Sequence, residues 1–230
     1  MLGRKILDFT GKTKPSNLTT KYVIDLTGDD KSSNLTGKFL IASPFVGLND
    51  LFDKSLIYIA EHSVNGVVGL IVNNPIDPLP CNINITKMFF NKKSKRFESD
   101  ELNQLANDAG NQLALFLGGP IDPERGFIIH SSDYQNDCLA KCSNDILISC
   151  SPNTLEKILD GSGPKSSLVV MGYTGWRAGQ LEKEMAENLW VVTKGDANLM
   201  FQTPHELQWS AALKQVGVYE ALFCGQIGRG

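Results

Sequence analysis

Apolar and polar positions change character at Gly37. From there on, short apolar runs rich in β-branched residues alternate with polar breaks, the pattern of half-buried and buried strands. Lys38–Ser43 predicts a strand closed by Pro44. Leu56–Ala60 and Val67–Val72 predict two more, joined through Asn65-Gly66, a dipeptide that favours a tight hairpin because both residues tolerate positive φ. Further strands are predicted over 113–117, 126–130, 146–150, 168–171 and 189–193, with a weaker one over 198–201.

Helical periodicity falls between these runs. Ser151-Pro152 supplies an N-cap and a first-turn proline, Leu155, Ile158 and Leu159 form a stripe, and Gly161 ends it. Thr203-Pro204-His205-Glu206 reads as a capping box. It opens a helix with Trp209, Ala212, Leu213 and Val216 at i, i+3, i+4, i+7 and a stop at Gly217. Residues 179–189 and 99–109 carry similar stripes, and 85–89 suggests a short helix. Hairpin-linked strands at the front, followed by helices among strands, point to a single α+β domain rather than a doubly wound parallel sheet.

Residues 1–35 read as a flexible N-terminal extension, 36–218 as the folded domain and 219–230 as a C-terminal tail. The extension is rich in Lys, Thr, Ser, Asn and Asp, with one apolar island, Tyr22–Leu26, which as an alternative predicts an edge strand. Residues 16–24 faintly echo 33–41. One echo falls short of the three stacked units a solenoid needs.

Composition narrows the class only a little. In 230 residues, 42% hydrophobic and 20% charged, a core large enough to fold without disulfide or metal staples is available. Twenty-two Lys and Arg against 25 Asp and Glu give a net charge of −3, so the chain as a whole has no pull toward nucleic acid. The start, Met1–Gly11, is too short and too polar for a signal-peptide core or a membrane span. With five cysteines, an odd number, it predicts a cytoplasmic protein with reduced thiols and no membrane association.

Several of these segments, taken together, resemble the AlgH/YqgE family. They are Phe39–Pro44, Ile57–His62 with Asn65-Gly66, Gly69–Pro75, Gly118-Gly119-Pro120, Arg125–His130, Gly172–Trp176, Gly179–Glu184, Asn188–Trp190 and Leu199–Phe201, in order over roughly 37–218. The resemblance implies a small bacterial protein with plant relatives, built on a mixed, largely antiparallel, bifurcated sheet that forms a pseudo-barrel with flanking helices. It implies no defined activity and no catalytic residues. Some members carry the label of transcriptional regulator. Residues 1–35 and the Lys-rich insertion at 91–98 lie outside it.

The residues that could carry chemistry are few. Glu61, His62, Arg125 and His130 offer an acid, two bases and a cation near strand ends, where general acid–base work or anion binding is feasible. Neighbours in a strand face opposite sides, so Glu61 and His62 need a bulge to share a pocket. A structural network is the stronger reading of all four. Gly172–Gly179, with three glycines around Tyr173, Trp176 and Arg177, predicts a tight turn presenting Trp176 as a pocket lip or protein contact, or else a close-packed corner.

Other motifs lead nowhere specific. Gly118-Gly119-Pro120 lacks a following helix and sits beside Asp122 and Glu124, which does not suit phosphate. Cys138-x-x-x-Cys142 lacks a second ligand pair for zinc, and no G-x-S-x-G elbow occurs. Lys92–Arg96 is the one basic cluster, followed at once by Glu98, Asp100 and Glu101. No helix-turn-helix is visible, so direct nucleic-acid binding is not expected.

The sequence therefore predicts a non-catalytic binding or regulatory module with a protein partner, no cofactor and no metal. Glu61, His62, Arg125, His130 and Trp176 are its candidate ligand or partner contacts. The alternative is a small-molecule-binding protein or a hydrolase-type enzyme using Glu61, His62, Arg125 and His130.

Overall fold

The computed structural model of the chain describes residues 34–44, 49, 51–76, 89, 115–141 and 145–218. Their elements run β1 (Lys38–Ala42), β2 (Leu56–Ser63), β3 (Gly66–Ile71), β4 (Leu115–Leu117), β5 (Ile121–Ser131), β6 (Cys138–Lys141), β7 (Ile146–Ser149), α1 (Pro152–Leu159), β8 (Ser167–Arg177), α2 (Gln180–Ala186), β9 (Trp190–Lys194), α3 (Ala197–Phe201) and α4 (His205–Gln215). All lie in one compact unit, Asn34–Gly230. The leader before Asn34, the predicted helices over 85–89 and 99–109 apart from Phe89, the basic cluster at 92–96 and the tail from 219 lie outside the described residues.

The strands form one sheet in the order β6-β7-β5-β8-β3-β2-β1-β9, with β4 paired off this path to β8. Every pairing is antiparallel except β4 with β8, so the sheet is mixed. It forks along β8. Residues up to Met171 pair with β5 on one side and β4 on the other, whereas Thr174–Arg177 pair with β3. Past the fork β4 takes the place of β3: Gly118 receives the Ile71 N–H at 3.0 Å and donates its own to Met171 O at 2.7 Å. The forked sheet curls into a half-barrel.

Gly172 is the pivot of that fork. Its φ is +68°, and a Cβ there would stand 2.6 Å from the Gly119 carbonyl oxygen. Glycine alone permits both the conformation and the approach. The Gly172–Trp176 motif, expected as a tight turn, is instead the continuous middle of β8, bent at its first residue.

The core follows the strand pattern. Phe39, Leu40, Ile41, Leu56, Ile57, Tyr58, Ile59, Leu70 and Ile71 are fully buried, as expected for strands covered on both faces. Leu35, just ahead of β1, joins this core at 8% exposure. A smaller cluster of Phe89, Leu115, Ile128, Leu155 and Val169 lies beneath α1.

Three local expectations are corrected. The 198–201 run is helix α3, because Asp196 caps it by accepting from the Asn198 and Leu199 N–H groups. The capping box at 203–206 does not form: Thr203 Oγ1 bonds to Asn198 O and α4 starts behind Pro204 without a side-chain cap. The β2–β3 turn is Val64-Asn65, with Ser63 paired to Gly66 and only Gly66 at positive φ. A fourth element, β6 around Cys138, went unforeseen.

Candidate functional site

At the hairpin end of the sheet, register fixes which side chains meet. His62 pairs with Val67 and Val67 with Trp176, so these three share one face; Glu61, Val68 and Gly175 form the next row on the opposite face. The irregularity in β2 falls between Ile59 and Glu61, ahead of the pair, and leaves Glu61 exposed while His62 is half-buried. Glu61 and His62 therefore do not converge.

His62 is a latch. Its Nδ1 accepts from Leu35 N–H at 3.1 Å and its Nε2 stands 3.2 Å from Glu182 Oε1 on α2. A neutral ring with its hydrogen on Nε2 serves both contacts. Its backbone N–H donates to Thr36 Oγ1 and its carbonyl accepts from Asn34 Nδ2, so residues 34–36 are tied to β2 through this one residue.

Trp176, 6% exposed, packs edge-on against Trp190 with ring centroids 5.8 Å apart. Both indole N–H groups donate to the same oxygen, Glu184 Oε2, each at 2.7 Å, and Gln180 Nε2 donates to Oε1 at 2.9 Å. Phe52 also packs edge-on against Trp190, with ring centroids 6.0 Å apart. The two indole donors tie α2 to β8 and β9, and Gln180, one turn back on α2, steadies the same carboxylate. Glu184 was not singled out in the sequence. Its signal was present as a Gln180/Glu184 pair at i, i+4 between two tryptophans.

Arg125 and His130 belong to the other wing. Strands β3 and β8 separate β5 from β2 in the sheet order. Arg125 is exposed, its guanidinium carbon 5.1 Å from the Phe127 ring centroid. It also neighbours Cys150, whose thiol is pushed up by burial against the opposing pull of Arg125. A thiol shifted that way is a poor nucleophile. His130 is fully buried, with Nδ1 3.0 Å from Ser131 O, no partner on Nε2, and the Tyr134 ring 6.0 Å away. Burial lowers its pKa, with the Ser131 carbonyl and Asp133 opposing.

Cys138 Sγ donates to Ala140 O, and Cys142 lies outside the described residues. Among the described residues no three His, Cys, Asp or Glu side chains are grouped to hold a metal.

An open cleft of about 310 Å³ lies elsewhere, between the turn that enters β2, the end of β3 and the first turns of α4. Asp53, Lys54, Ser55, Asn73, Asn74, His205, Glu206 and Trp209 carry its chemistry. Asn73 braces the wall, accepting from Leu56 N–H at 2.8 Å and donating to Lys54 O at 2.9 Å. Trp209 anchors the opposite wall through Nε1–H to Ala42 O at 2.9 Å. Lys54 holds a φ of +52° and its ammonium lies 5.9 Å from the Trp209 ring centroid. None of the five candidate contact residues lines this cleft; of its lining, the sequence had marked Asn73 and Asn74 as part of a family-like segment and His205, Glu206 and Trp209 only as parts of a helix.

Comparison with known proteins gives a consistent picture. The AlgH-like family matches residues 39–221. A UPF0301 protein of Rickettsia typhi is 37% identical over 189 residues, 82% of this chain and 92% of the relative, and one of Rickettsia akari is 36% identical over the same span. The solution structure of the AlgH protein from Pseudomonas aeruginosa is similar with a TM-score of 0.62 and 28% identity, covering 87% of this chain and 98% of that one. A Corynebacterium diphtheriae protein, at 19% identity and TM-score 0.59, shares the fold over 81% of this chain and 89% of that one.

Proposed function

The chain belongs to the AlgH-like family, and from that premise we propose that it is a cytoplasmic, non-catalytic binding module with a regulatory role, passing its state to a protein partner and not to DNA. The observation that carries this reading is the open cleft beside α4. It gathers charged and amide groups around a hollow of ligand size, and among the described residues no hydroxyl or thiol in it is hydrogen-bonded to an imidazole. The imidazole of His62 is spent on holding Leu35 and α2. The chain's −3 net charge favours no duplex. No helix among the described residues is long and apolar enough to cross a membrane.

The test is to incubate the full chain with a small-metabolite extract, separate bound from free by rapid gel filtration, and follow both pools over time. A compound retained and recovered unchanged, and lost from a Lys54→Asn variant, supports the reading. Steady conversion of a compound to product overturns it, and so does the absence of any retained compound.

A further inference from the structure

Among the described residues the sheet ends on β6 at one side and on β9 at the other. An edge strand presents open N–H and C=O groups, which folds blunt with bulges, charges or a covering segment. β6 is blunted: its register slips between Cys138 and Ala140, and Lys141 follows. β9 has no such slip. It pairs with β1 residue for residue from Trp190 to Lys194, with two valines and a threonine in between.

Register shows which groups of β9 are open. Ala42 N–H points to the β2 side, donating to Ser55 O at 3.0 Å, and Ser43 N–H points the other way, to Leu189 O at 2.9 Å. These directions alternate along an antiparallel ladder, so Val191 and Thr193 turn their backbone groups to β1. Val192 and Lys194 turn theirs outward, where among the described residues no backbone group bonds to them. Val191, Val192 and Thr193 are only half-buried, whereas their partners Ile41, Leu40 and Phe39 are fully buried. The edge and both faces of β9 are unfinished.

α4 delivers a segment to this place. Trp209 bonds to Ala42, the partner of Trp190, and Gln215, the last residue of α4, donates to Asp196 Oδ2 at 3.1 Å, just past β9. The helix therefore runs in the direction of β9. It ends in a Schellman turn: Val218 N–H bonds to Leu213 O and Gly217 N–H to Lys214 O, each at 3.0 Å, with Gly217 at a φ of +77°. That turn reverses the chain, and Val218, 7% exposed, pins it to the core. Next come Tyr219-Glu220-Ala221-Leu222-Phe223-Cys224, free of proline and glycine, and then Gly225. Six extended residues span about 20 Å, enough to run the length of β9.

We propose that residues 219–224 add to the open edge of β9 as one more antiparallel strand, so that the chain covers this edge with its own C-terminal segment. Leu222 and Phe223 fall on opposite faces of that strand and extend the two unfinished faces.

The experiment follows amide exchange residue by residue, by NMR, in the full chain and in a full-length Leu222→Asp/Phe223→Asp variant. In the wild-type chain Val192 and Lys194 exchange slowly at every protein concentration. In the variant they exchange about tenfold faster or more, whereas Val191 and Thr193, bonded to β1, keep their rates. Equal rates for Val192 and Lys194 in both chains overturn the proposal. So does a speed-up shared by Val191 and Thr193, which makes the segment a support of the whole domain and not of this edge. Protection of Val192 that rises with concentration, together with dimers in sedimentation, also overturns it and assigns the edge to a second copy.

Discussion

Glu184 shows how much one side chain can hold. Its carboxylate takes two indole N–H groups and one amide, and the two tryptophans it joins are both 6% exposed. Removing the acceptor leaves two nearly buried N–H donors unpaired, each costing roughly 1–3 kcal/mol. Glu184→Ala is therefore expected to lose about 2–4 kcal/mol, and Glu184→Gln distinctly less because one amide oxygen still accepts. Urea unfolding followed by tryptophan fluorescence checks the order. The sequence shows the Gln180/Glu184 spacing but not the two indoles it serves, because the helical pattern of 179–189 marks Glu184 only as off the apolar stripe. Which off-stripe residue meets a tryptophan depends on how α2 docks, and no local pattern encodes that.

Elements were more legible than their ends. The apolar runs place β1, β2, β3, β7 and β9 to within a few residues, since strand periodicity is local. The run at 198–201 was read as a strand because four residues cannot separate a helical turn from a strand, and 138–141 drew no assignment at all. The cleft was hidden for a different reason: its walls come from residues 51–55, 73–74 and 205–210, brought together only by tertiary packing. The hairpin carries its own prediction. A Cβ on Gly66 would stand 2.3 Å from Trp176 O, at a φ of +137°. Gly66→Ala is expected to cost about 2–3 kcal/mol, from backbone strain and the displaced β8 pairing. Gly161→Ala, also at positive φ but with nothing within 4 Å, is expected to cost only about 1 kcal/mol. Paired thermal melts distinguish the two.

Over the whole molecule, His130 sets a pH dependence. Its pKa in the fold lies below the ordinary value of 6.5, chiefly through burial, so the folded state holds the neutral ring while the unfolded chain protonates first. Stability from this residue is complete above about pH 6.5 and is lost as pH falls toward the lowered value. Melting temperature is expected to drop as pH falls from 7.5 to 5.5. The slope is expected to flatten in His130→Leu, whatever that variant's absolute stability. A slope unchanged by the substitution would assign the acid sensitivity to other groups.

The placement of β1 between β2 and β9 has a temporal consequence. The strand made first among those described receives its second neighbour from residues 190–194, and Trp209 seals it through a bond spanning 167 positions. During synthesis, the edge of β1 waits with open N–H and C=O groups until nearly the entire domain has left the ribosome. Truncations that stop before β9 would therefore yield sticky fragments instead of smaller folded ones, and refolding from denaturant would be slow for a protein of this size.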